Sequence, residues 1–330
     1  MNKETFSRIV ADMLPDLLPE AYKDVKIEIT KQFGINVDSE ALCFKKEGLL
    51  VVPTMSIDDI YGIYESKGDM GEALSEIAKF VTEALDDNKL YSDLDQARKL
   101  IDENVVLRLI NTESNKAMLE NVPHRETNDC SVYYRIMYAD DSGKMMSTVV
   151  TNAIAESAGY SEQELFDRAV ENTKRLYPPQ IKSMTEIMSE SMNLSAEEME
   201  ELGFVSAGYT DQMIIISNTA GCYGAVYMLF DECLQEAAKR VGDNIYVLPS
   251  SLHEVIAVPE KDTLSVGQLS TMVEEINQFQ VDPKDRLSNQ VYHYDKDARE
   301  FTMVSDGINR SVTELVAEKS ISYDKKVPVR

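Results

Sequence analysis

The chain has 330 residues, enough for one large domain or two ordinary ones, and enough apolar surface to fold without a metal or disulfide staple. Its 33 basic and 58 acidic residues leave a formal charge of -25, a field that repels phosphate backbones and anionic lipid and so excludes direct binding to either as an expectation. Four cysteines, at positions 43, 130, 222 and 233, form no C-x-x-C pair and no zinc spacing, which fits reduced thiols in a cytoplasm.

The N-terminal MNKETFSRIV lacks a positive n-region followed by an apolar stretch, so no signal peptide is expected. Phe6, Ile9, Val10, Met13, Leu14 and Leu17 then form one helical stripe, which Pro15 and Pro19 should kink or stop. Val25, Ile27 and Ile29 alternate with charged residues in the strand period. Ala41–Phe44 and Leu49–Val52 flank a Gly-containing turn and predict a hairpin that ends at Pro53. Ser56, with Asp59 three residues on, predicts a helix N-terminus. Helices are expected through Leu74–Leu85 and Ser92–Glu103, and a strand over Val105–Ile110.

A boundary is placed after residue 112. Beyond it, Ser131–Tyr138 and Met145–Thr151 form a predicted hairpin through Asp140–Gly143. Ser161 and Glu164 make a capping box for a helix that Pro178-Pro179 stops. One helix is expected from Ile181 to Met192, a short acidic one after Ser195, and an apolar strand over Met213–Ile216. The loop Asn218–Gly224 leads into a further helix, and the strands Ile245–Leu248 and Glu254–Val258 flank Pro249-Ser250-Ser251. A helix from Ser265 to about Gln280 and a Tyr-rich hairpin over Val291–Val304 close the fold, leaving residues 311–330 as a mobile tail. No apolar run approaches the roughly 20 residues of a membrane span. Paired strands with helices clustered between them predict an α+β fold, mostly antiparallel, with domains at 1–112 and 113–310.

Ser251 and His253 would share one strand face, and a hydroxyl beside an imidazole is the start of a nucleophile–base pair, with Asp129 as a remote carboxylate to orient the ring. The alternative is a tight turn in which the serine caps backbone groups. No G-x-S-x-G elbow supports the hydrolase. His253, His293, Asp295 and Glu254 are the candidate metal ligands, against a reading as polar hairpin residues, since no H-E-x-x-H is present. Asn218–Gly224 has the position of an anion-binding loop without the glycine pattern of one. Glu197, Glu198, Glu200 and Glu201 lack the spacing of a calcium loop and read as a solvated helix face. No cofactor is expected.

Five stretches carry a resemblance: Tyr246–Ile256 with its LPSS-x-HE string, Asp129–Ile136, Ala169–Asn172, Asn218–Ala225 and Leu287–Tyr294. Through them residues 20–300 resemble a bacterial family catalogued as a domain of unknown function, DUF5688. The resemblance implies a bacterial cytoplasmic protein and carries no activity, cofactor or catalytic residue. With no assembled catalytic motif, the charge favours a non-enzymatic protein that binds a basic macromolecular partner; the alternative is a hydrolase-like enzyme using Ser251, His253 and Asp129.

Overall fold

The computed structural model describes residues 1–47, 52–87, 94–139, 145–201, 203, 212–261 and 264–305. Two compact units divide the chain: Met1–Thr127 with Ser131–Tyr177, and Asn128–Cys130 with Pro178–Arg330.

The first unit opens with α1 (Lys3–Leu17), capped by Asn2, whose side chain accepts from the Thr5 amide. Pro15 does not stop this helix. It lies in the last turn, where its missing amide costs the helix one bond, to the Ala11 carbonyl, and Lys23 Nζ donates to the orphan carbonyls of Pro15 and Asp16 just before the chain turns away. Strands β1 (Lys26–Phe33), β2 (Asp38–Lys45) and β3 (Thr54–Ser56) make an antiparallel sheet in that order. The expected strand at Leu49–Val52 lies largely outside the described residues. Pairing also continues past Pro53: its carbonyl accepts from the Phe44 amide, and Thr54–Ser56 extend the ladder, because proline lacks a donor and keeps its acceptor. Helices α2 (Ile57–Lys67), which Ser56 caps, and α3 (Met70–Asp87) cover this sheet with α1. Phe6, fully buried, stacks on Tyr64 at 4.8 Å and meets the edge of Tyr61, at the centre of a cluster with Val10, Leu42, Phe44, Ile60 and Ile77. Burying each large side chain of this kind contributes roughly 1.5–3 kcal/mol.

Helix α4 (Leu94–Asn104) runs directly into β4 (Val105–Asn111), buried from Val105 through Ile110. The short α5 (Lys116–Leu119) follows, then β5 (His124–Thr127), β6 (Cys130–Ala139) and β7 (Met145–Val149). Strand β6 pairs with β4, β5 and β7, so chain on both sides of residue 112 shares one sheet. Helix α6 (Asn152–Ala158) is capped by Thr151, and α7 (Glu162–Leu176) by the Ser161–Glu164 box. The Glu164 carboxyl titrates below its ordinary range because the Ser161 amide and hydroxyl donate to it.

The second unit starts with β8 (Pro179–Ser183), a strand where a helix from Ile181 is expected. Its pairing with Ile214–Asn218 overrides the helical pattern, and the helix begins only at α8 (Met184–Met192), behind a capping box of Ser183 and Glu186. Then come α9 (Ala196–Glu201), β9 (Ile214–Asn218), a 3-10 turn over Gly224–Leu229, α10 (Asp231–Val241), β10 (Ile245–Leu248) and β11 (Val255–Pro259). Helix α11 (Val266–Phe279), β12 (Tyr292–Asp295) and β13 (Glu300–Met303) complete it. All six strands form one antiparallel sheet in the order β13-β12-β10-β11-β9-β8. The Asp140–Gly143 turn and the tail lie outside the described residues. Among the described residues no helix is long and apolar enough to cross a membrane.

Candidate functional site

The segment Pro249–Glu254 joins β10 to β11 in the second unit. Its backbone is held on both sides. Leu287 and Ser288 donate to the carbonyls of Ser250 and Pro249, Leu252 donates to Asp285, and Ser251 bridges Arg286. On the opposite side the amides of Gly224 and Ala225 donate to His253 and Leu252, and Ser217 Oγ donates to the His253 carbonyl at 2.8 Å. Glycine is needed at 224. A Cβ there would stand 2.5 Å from Ser217 Oγ and 2.7 Å from the His253 oxygen, closer than side chains approach. Tyr223, one residue earlier, takes φ 54, a left-handed turn that aims its amide at the histidine ring.

His253 Nδ1 accepts that amide at 3.2 Å. A backbone N–H only donates, so Nδ1 carries the lone pair and the neutral ring holds its proton on Nε2. Nε2 faces Asp285 Oδ1 at 3.4 Å, and the Tyr223 ring meets the imidazole edge-on at 5.6 Å. Ser251 Oγ, buried, accepts the amide of His253 itself at 3.0 Å, the geometry of a serine turn. A general base needs a free lone pair within reach of the proton it takes. Here the Nδ1 lone pair is occupied and Nε2 carries hydrogen.

Ser251 and His253 are thus brought together through the backbone, and the carboxylate at the imidazole is Asp285. Asp129 lies in the same unit with other partners: Ser288 Oγ at 2.6 Å, the Tyr292 hydroxyl and Cys130 Sγ at 3.6 Å. Since the Ser288 amide donates to the Pro249 carbonyl and its hydroxyl to Asp129, the Asp129 carboxylate braces the turn through Ser288. Burial pushes the Cys130 thiol well above its ordinary range, with the Asp129 charge adding to it. Tyr292 is raised too, first by burial and then by its acidic neighbours Cys130 and Asp129. Both therefore stay neutral and keep a hydrogen to donate to the Asp129 carboxyl oxygens. Sequence reasoning missed Asp285. The only local signal is the turn it ends: Asp282 caps the Lys284 amide, and the Asp285 amide donates to the Asp282 carbonyl.

His293 sits on β12, its Nε2 3.3 Å from Glu260 Oε2, while Asp295 accepts the amides of Asp297 and Ala298 in the following turn. Among the described residues no group of three or more His, Cys, Asp or Glu is placed to hold a metal ion. Glu198 caps the Ser195 amide, whose hydrogen bond draws its carboxyl below the ordinary range. In the Asn218–Gly224 loop the Asn218 side chain bonds the Ala220 amide and the Cys222 carbonyl, so this loop is closed upon itself.

Antiparallel sheets flanked by separate groups of helices, with a polar turn tied down by non-local hydrogen bonds, place the molecule in the α+β class. Within that class the chain belongs to the family of unknown function DUF5688, whose model matches residues 3–296. No curated protein and no solved structure matches it.

Proposed function

We propose that this chain is a non-enzymatic, acidic protein of the bacterial cytoplasm that binds a basic macromolecular partner. The observation that carries this reading is the excess of 58 acidic over 33 basic residues. A field of that sign speeds encounter with a positively charged surface and slows it with a polyanion. The four free thiols suit a reducing compartment. The engagement of both His253 nitrogens supports a binding role over catalysis at this turn.

The test is affinity purification from the native host at low and at high salt. A basic partner retained at low ionic strength and released as salt rises is the expected result. Recovery of no partner at low salt would remove the reading. A hydrolase at Ser251 and His253 remains the second one, favoured only by the Asp285 carboxylate beside the ring. It requires the imidazole to give up the Tyr223 amide, and an ester or amide turned over by the wild type but not by Ser251→Ala would establish it.

A further inference from the structure

The first unit carries a groove of about 610 Å³ between the turn after α5 and helix α6. Two hydrogen bonds set its shape: the Asn152 amide donates to the Asn121 carbonyl at 3.0 Å, and Asn152 Nδ2 to the Glu120 carbonyl at 3.2 Å. They pin the start of α6 to the turn. The floor is apolar, with Leu119, Val122 and Ala155 buried.

The rim has the opposite character. Glu120, Glu156 and Glu162 line it, and no lysine or arginine does. Glu162 is already engaged, by Arg125 at 2.8 Å and by the Tyr134 hydroxyl. Glu120 and Glu156 are exposed, and their carboxylates have no partner among the described residues. His124 also lines the groove, and its Nδ1 lies 3.0 Å from the Val122 carbonyl. A carbonyl only accepts, so in the neutral ring the proton sits on Nδ1 and the lone pair on Nε2, which has no partner among the described residues. The groove therefore offers acceptors and negative charge above an apolar bed. The carboxylates are not grouped for a metal ion. The complementary shape is a cation on an aliphatic stem, which is the construction of lysine and arginine side chains.

We infer that this groove seats a lysine or arginine side chain of a protein partner, its stem along Leu119 and Val122 and its charge at Glu120, Glu156 and His124 Nε2. The inference rests on the proposed function and locates the contact. One exposed ion pair holds a free amine only weakly, so the side chain must belong to a larger surface.

The test uses the full chain and a fluorescein-labelled, N-acetylated peptide of alternating leucine and lysine, at low ionic strength. A second peptide carries norleucine in place of each lysine, which keeps the stem and removes the charge. Carbodiimide coupling joins a lysine amine to the carboxylate it touches, and mass spectrometry locates the link. Links at Glu120 or Glu156 are expected, with affinity falling about three- to tenfold in Glu120→Gln/Glu156→Gln. The inference is overturned by links only elsewhere, such as Glu197 or Glu198, by unchanged affinity in the double variant, by equal binding of the norleucine peptide, or by no binding of either peptide. If the native-host partner is captured equally by wild type and double variant, the groove loses its role and the proposed function stands. If links form at Glu120 but no native partner is captured, the function falls and the chemistry of the groove stands.

Discussion

His253, in the turn between β10 and β11, and His124, the first residue of β5, are both half-buried imidazoles, and their surroundings differ in one respect. His253 spends Nδ1 on the Tyr223 amide and turns Nε2 to Asp285, whereas His124 meets the Val122 carbonyl through Nδ1 and leaves Nε2 without a partner among the described residues. The carboxylates follow the same division. Asp129 accepts from Ser288 and Tyr292 and braces a turn; Glu120 and Glu156 stand at the rim of a groove with their charge unanswered. A polar group whose valences are filled inside the fold stabilises that fold. One left open above an apolar floor has its interaction free for another molecule.

The sharpest way to break the comparison is to unseat the His253 turn. Gly224→Ala forces a Cβ to 2.5 Å from Ser217 Oγ and 2.7 Å from Ser217 Cα, so a loss of about 1–3 kcal/mol or more is expected in urea denaturation. A loss under half of that would mean that the turn moves freely. Tyr292→Phe removes a buried donor to Asp129 and should cost about 1–3 kcal/mol. It also carries a pH signature. Tyr292 is raised in the folded protein, while an unfolded tyrosine ionises near pH ~10, so its contribution is fully present below that and lost as pH rises above it. Cys130, raised in the same way, begins to act above about pH 8.5. Thermal melts from pH 8 to 11 should fall for the wild type and fall less steeply for Tyr292→Phe; parallel curves would exclude the assignment.

The paired test compares the two histidines directly. His253→Ala strips the Tyr223 amide of its acceptor and should cost about 1–2 kcal/mol, while His124→Ala gives up one turn contact and should cost less than about 1 kcal/mol. Equal losses would erase the distinction. The smallest effect is expected for Glu120→Gln/Glu156→Gln. Exposed and unpartnered, these side chains should alter stability by no more than about 0.5 kcal/mol. A larger loss would give the rim a structural role and weaken the case for docking there.

Much of the local architecture was legible from short-range chemistry. The Ser161–Glu164 box opens α7, Ser56 opens α2, and the Tyr-rich stretch forms the β12–β13 hairpin, because each depends on groups a few residues apart. Errors fell where distant chain decides. Ile181 counts as helical by pattern and becomes strand once Ile216 pairs beside it; Pro53 looks terminal until the Phe44 amide uses its carbonyl. At the candidate site, Ser251 and His253 stand two residues apart and could be picked out together, whereas Asp285 lies far along the chain with nothing local to link it to them.

The amino-acid sequence by itself determined the mixture of clustered helices and paired strands, the family, and a net charge of -25, since these rest on composition and near-neighbour order. Only the tertiary structure decided which polar groups are spent and which stay open. Hydrogen-bond valence is settled by whatever the fold brings within about 3 Å, and residues adjacent in sequence carry no record of those distant partners.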